Sequence, residues 1–139
     1  MMKSICFDMA EKFMKNYQYK EAFKEYRKLI EEYSLDDISI AEAYNMLGVI
    51  TIIDKNIEVI DDTGLFYFKQ ALNYDPNNIG ALLNVVLTFG NSFENHLDFL
   101  LTEQCINKIL SLNVELSDLE KKNLDEKRIL INQLKENSI

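Results

Sequence analysis

The 139-residue chain carries one proline, four glycines, two cysteines and one histidine. So few glycines and prolines leave no Gly/Ser- or Pro-rich linker, and the length fits one domain spanning residues 1–139. Cys6 and Cys105 are too few and too far apart for a disulfide framework or a zinc site. Both lie among apolar residues at helical spacing and read as buried thiols acting as small hydrophobes. With His96 the sole histidine, a general base would need a placed nucleophile or carboxylate. No glycine-rich phosphate loop, GxSxG elbow or HExxH pattern is present, so neither catalysis nor a cofactor is expected. No long apolar run follows the first lysine, and Asp8 and Glu11 interrupt MMKSICFDMAEKF. Neither a signal peptide nor a membrane span is read, and the expected compartment is the cytoplasm.

Positive charge is scarce in the centre. Residues 38–113 hold 3 basic side chains (Lys55, Lys69, Lys108) against 9 acidic ones, a net −6 of the chain's −8. Such a field repels nucleic acid and anionic membrane and steers a basic partner inward. It equally suits a solvated acidic face that aids solubility. Asp54, Glu58, Asp61 and Asp62 concentrate this charge in DKNIEVIDDTGLF. Asp54, Asn56 and Glu58 alternate like the start of an EF-hand loop, but that loop needs glycine at position six and glutamate at twelve. Val59 and Leu65 stand there, so no metal site is expected.

What is abundant is helical periodicity. Ile5, Cys6, Met9, Ala10, Phe13 and Met14 recur at three- and four-residue steps, and Ala22, Phe23, Tyr26, Leu29 and Ile30 repeat the pattern. Asp37 or Ser39 is placed to cap a helix over about 40–53. Further helices are expected over about 62–74, 78–89 and 95–112, the first of them closed by Asp75-Pro76. Ser117-Asp-Leu-Glu120 reads as a capping box opening a last helix to about residue 137. Seven helices with no alternating strand make an all-α fold.

The helices pair, and the pairs resemble one another. The middle pair carries Tyr44, Leu47 and Gly48, then Gly64, Phe68 and Ala71, and ends at Pro76. These types and spacings resemble a tetratricopeptide repeat, a helix–turn–helix unit of about 34 residues. The physical logic is close packing: Gly48 admits the second helix, Gly64 meets it, Phe68 fills the groove and Ala71 admits the next unit. The resemblance implies a right-handed solenoid of about three pairs, over residues 3–36, 40–78 and 79–114, plus a capping helix over 117–137. Leu124, Ile131 and Leu134 would pack inward beside Leu130, with Lys121, Lys122, Lys127, Arg128 and Lys135 toward water. Ala10 to Ala22 matches the family's spacing of about twelve residues, whereas Gly48 to Gly64 and Val86 to Thr102 are each one helical turn longer.

Such a fold implies a concave groove lined by the first helix of each pair, expected to include Phe7, Glu11, Met14, Asn45, Val49, Ile52, Leu83 and Leu87. A register shifted by one residue would turn some of them into the core. Relatives that grip a chaperone's C-terminal carboxylate use lysine, asparagine and arginine there; Phe7, Glu11, Met46, Gly80 and Asn84 stand in the corresponding region, so no cationic clamp exists and that activity is not carried over. The expectation is a non-catalytic protein-interaction module for an apolar or basic partner. Its acidic surface would be Asp54, Glu58, Asp61 and Asp62. The alternative is an immunity-type inhibitor of a basic toxin such as a nuclease, favoured by charge complementarity.

Overall fold

The computed structural model describes residues 2–57, 64–88 and 99–137. Among them the order is α1 (Met2–Lys15), α2 (Tyr19–Glu32), α3 (Asp37–Ile53), α4 (Leu65–Tyr74), α5 (Ile79–Thr88), α6 (Phe99–Ser111) and α7 (Asp118–Asn137), with no strand. The fold is all-α. Its residues gather into two compact units, Met1–Asn78 and Ile79–Ile139. The boundary falls on the Asp75-Pro76-Asn77-Asn78 joint.

In the first unit, the α1–α2 turn closes without glycine. Tyr17 adopts a left-handed φ of 60°, and the Tyr17 and Gln18 amides donate to Met14 O (3.1 Å) and Phe13 O (2.8 Å). This satisfies two carbonyls that the end of α1 would otherwise leave exposed. The cap of α3 is Asp36, one residue before the expected Asp37: its Oδ1 accepts the Ser39 amide at 2.8 Å. Ala10, Ala22, Phe23, Tyr26, Leu29, Ala43, Leu47, Ile50 and Tyr67 form the core.

The α3–α4 contact follows the close-packing logic of the middle pair. A Cβ on Gly48 would lie 2.5 Å from the Phe68 ring, and one on Gly64 would lie 2.5 Å from the Gly48 carbonyl oxygen. Gly64 also takes φ +69°, which glycine adopts without the Cβ penalty. It stands as the N-cap of α4, so this helix starts at Leu65, three residues later than the expected Asp62. Phe68 and Ala71 are fully buried. The proline joint is hydrogen-bonded: the Asp75 amide donates to Ala71 O at 2.9 Å and the Asn78 amide to Asp75 O at 3.1 Å, while Asp75 Oδ1 accepts the Asn77 amide at 3.1 Å.

In the second unit, α7 packs on both α5 and α6. Its capping box is formed: the Ser117 amide donates to Glu120 Oε1 (2.9 Å) and the Glu120 amide to Ser117 Oγ (3.1 Å). Leu124 and Ile131 are buried as expected, whereas Leu134 is 41% exposed. Leu124 and Ile131 stand two turns apart on one stripe, and Leu134 continues it by one more turn, close to the end of α7 at Asn137. Lys121, Lys122 and Arg128 are exposed; Lys127 is half-buried, and desolvation lowers its pKa. Lys135 pairs with Glu103 of α6 at 2.6 Å. Cys105 is buried and free, and burial raises its thiol from 9.0 to about 11.

Candidate functional site

A cleft of about 260 Å³ opens in the first unit, lined by Phe7, Glu11, Met14 and Lys15 of α1, Tyr26 of α2, and Glu42 and Met46 of α3. Its α1 wall is one face of a helix: positions 7, 11 and 14 lie at four- and three-residue steps and therefore project together. The α3 wall follows the same rule with Glu42 and Met46, four apart. Tyr26 forms the floor. It is 2% exposed, and its ring meets Phe7 edge-on at 6.3 Å. Desolvation, and then the charges of Glu11 and Glu42, push its hydroxyl up to about 12, so it stays a neutral hydrogen-bonding group. Asn78, 8% exposed, donates from Nδ2 to Glu42 Oε2 at 3.3 Å. The residue that ends the proline joint thus holds one wall carboxylate in place.

Of the groove residues named from the sequence, Phe7, Glu11 and Met14 line this cleft. Asn45 is not in this lining: it is only 6% exposed, while Val49 and Ile52 are half-buried on α3 and also outside it. The α3 face that reaches the cleft is rotated by one residue, from Asn45 to Met46. Leu83 is half-buried and Leu87 is 38% exposed in the second unit. Glu58, Asp61, Asp62 and His96 lie outside the described residues. Asp54 is described, and it shares a cleft with Lys20, Lys24 and Arg27. Sequence reasoning missed Tyr26 and Glu42 as lining, and placed Met46 only in the region corresponding to the carboxylate clamp. The Glu42/Met46 pair was visible as an i, i+4 step, but the chain gave no independent mark of which α3 stripe faces α1.

The cleft offers two carboxylates and one ammonium around an apolar floor of Phe7, Met14, Tyr26 and Met46. No group of three or more His, Cys, Asp or Glu able to hold a metal occurs among the described residues. No described helix is long and apolar enough to cross a membrane.

No family model matches the chain. An 82-residue stretch, 59% of this chain, is 33% identical to the uncharacterized protein ycf37 of Cyanophora paradoxa. The stretch covers 45% of that protein, so the relative extends well beyond it. The similarity assigns no activity.

Proposed function

We propose that the chain is a tetratricopeptide-like protein-binding module that captures an apolar segment bearing a cationic side chain in the α1–α3 cleft, without catalysis. The observation that carries this reading is the lining: Glu11 and Glu42 flank a floor of Phe7, Met14, Tyr26 and Met46. The interlocked Gly48, Gly64 and Phe68 support the repeat-like reading of the scaffold.

Size favours side chains over a whole small molecule. Small-molecule sites usually enclose about 300–1,000 Å³, and this cleft, open to solvent, holds about 260 Å³. One or two partner side chains fit that space. Burying one aliphatic side chain contributes about 1.5–3 kcal/mol, and an ammonium or guanidinium placed between Glu11 and Glu42 adds a charge-assisted hydrogen bond. The methionines suit a site that must adapt to its occupant, because the unbranched thioether repacks readily.

The test uses labelled peptides of alternating Leu and Lys, with a Leu/Gln peptide as control, and fluorescence anisotropy as readout. Binding of the Leu/Lys probe should weaken about tenfold in a Glu11→Gln/Glu42→Gln variant, equivalent to about 1.4 kcal/mol. Equal binding of both probes, or no loss in the variant, would remove the cleft as the site.

A further inference from the structure

A second cleft in the first unit has the opposite electrostatic character. Lys20, Lys24 and Arg27 project from α2 at four- and three-residue steps, so they share one face of the helix. With Phe23, Asp54, Asn56 and Ile57 they enclose about 520 Å³, twice the space of the α1–α3 cleft. The floor is apolar. Phe23 meets Tyr67 edge-on at 6.2 Å, and half-buried Ile57 lines the side.

The three cations are not equivalent. Arg27 donates to Glu31 at 3.0 Å and lies 6.0 Å from the Phe23 ring centroid, so part of its charge is already answered. Lys20 and Lys24 are exposed, and among the described residues neither has an ion-pair partner. Among the described residues of the cleft the one carboxylate, Asp54, has an oxygen engaged by the Asn56 amide at 3.1 Å. The result is a local excess of positive charge over apolar surface, in a chain whose net charge is −8.

We infer that this cleft docks an acidic protein segment that carries an apolar or aromatic side chain between its carboxylates. Charge complementarity selects the acidic residues, and the Phe23–Ile57 floor with the aliphatic lysine stems takes the apolar one. A long polyanion is disfavoured by the same numbers. Screening acts over about 8 Å at physiological salt, so two or three carboxylates within the cleft feel the lysines, whereas a nucleic acid extending beyond it meets the acidic remainder of the molecule. The chain would then be two-sided, with a cleft for a cationic segment on α1–α3 and one for an anionic segment beside α2.

The experiment uses the full chain and three labelled probes followed by anisotropy at 50 and 200 mM salt. They are a dodecapeptide of Asp/Glu with spaced Phe and Leu, its Asn/Gln counterpart, and a ten-residue oligothymidylate. The acidic peptide should bind, lose affinity at the higher salt, and weaken at least tenfold in Lys20→Ser/Lys24→Ser, whose helix content should be unchanged because both residues are exposed. The Glu11→Gln/Glu42→Gln variant should bind it normally, which separates this cleft from the other one. Absence of binding, equal binding of the Asn/Gln peptide, equal binding by the lysine variant, or tighter binding of the oligonucleotide would each overturn the inference.

Discussion

At the residue scale, Gly48 and Gly64 fix how closely α3 and α4 approach, and the two positions differ in what a methyl group would meet. On Gly48 it meets the Phe68 ring, a side chain rather than backbone. On Gly64 it meets the backbone oxygen of Gly48, at a left-handed φ of +69°. Overpacking of this kind costs about 1–3 kcal/mol, and a left-handed conformation adds about 1–2 kcal/mol for a residue with a Cβ. Gly64→Ala should therefore destabilise the protein more than Gly48→Ala, as read from urea midpoints followed by circular dichroism. The Gly48→Ala loss should be partly recovered by Phe68→Leu, which is smaller where the clash occurs; the Gly64→Ala loss should not. Tyr26 and Cys105 supply a pH dependence at the same scale. Burial raises both pKa values in the folded protein, from 10.0 to about 12 and from 9.0 to about 11. Each contributes stability that is fully present below its ordinary value and is lost as pH rises through the folded one. Urea stability should fall from about pH 9 upward, and Tyr26→Phe should flatten the part of the fall between 10 and 12.

At the element scale, α7 depends on a two-way cap. Ser117→Ala removes the oxygen that accepts the Glu120 amide and should cost about 1 kcal/mol, visible as a lower urea midpoint with helix loss at the start of α7 in amide exchange. This motif was legible in the sequence because a capping box is local: Ser and Glu three residues apart have few other readings. Gly48, Phe68 and Pro76 were legible for the same reason, since each answers a steric demand that few residue types meet. What the sequence could not settle was rotation. Asn45, a polar residue expected on the groove, is buried, and Met46 takes its place in the lining. Because α3 is apolar on nearly every side, with Ala41, Ala43, Leu47, Ile50 and Thr51 all buried, no single hydrophobic stripe marks its orientation. Leu134 shows that periodicity alone does not guarantee burial: it continues the Leu124–Ile131 stripe near the end of α7 and is 41% exposed. The start of α4 was expected at about residue 62, whereas the structure uses Gly64 as the N-cap and begins the helix at Leu65.

At the scale of the whole molecule, charge counted along the sequence and charge seen in the structure describe different things. The centre of the sequence is acidic, yet Asp54, the described member of its acidic cluster, lies in a cleft with three basic residues contributed by α2. A count along the chain cannot place Lys20, Lys24 and Arg27 beside a residue some thirty positions later, because that proximity is created by packing α2 against α3. The same packing puts Glu11 and Glu42, also distant in sequence, across one floor. Both clefts belong to the first unit, and the 33% identity with ycf37 extends over only 59% of the chain.

We hold that the α1–α3 cleft binds a protein partner. The most direct measurement is quantitative capture of proteins from a lysate of the source cells, comparing the immobilised chain with a Met14→Glu/Met46→Glu variant that places charge in the cleft floor. Both residues are only half-buried, so circular dichroism should report unchanged helix content. A specific partner captured by the native chain and reduced at least tenfold by the variant is the predicted result. Equal recovery of that partner by both proteins would contradict the claim.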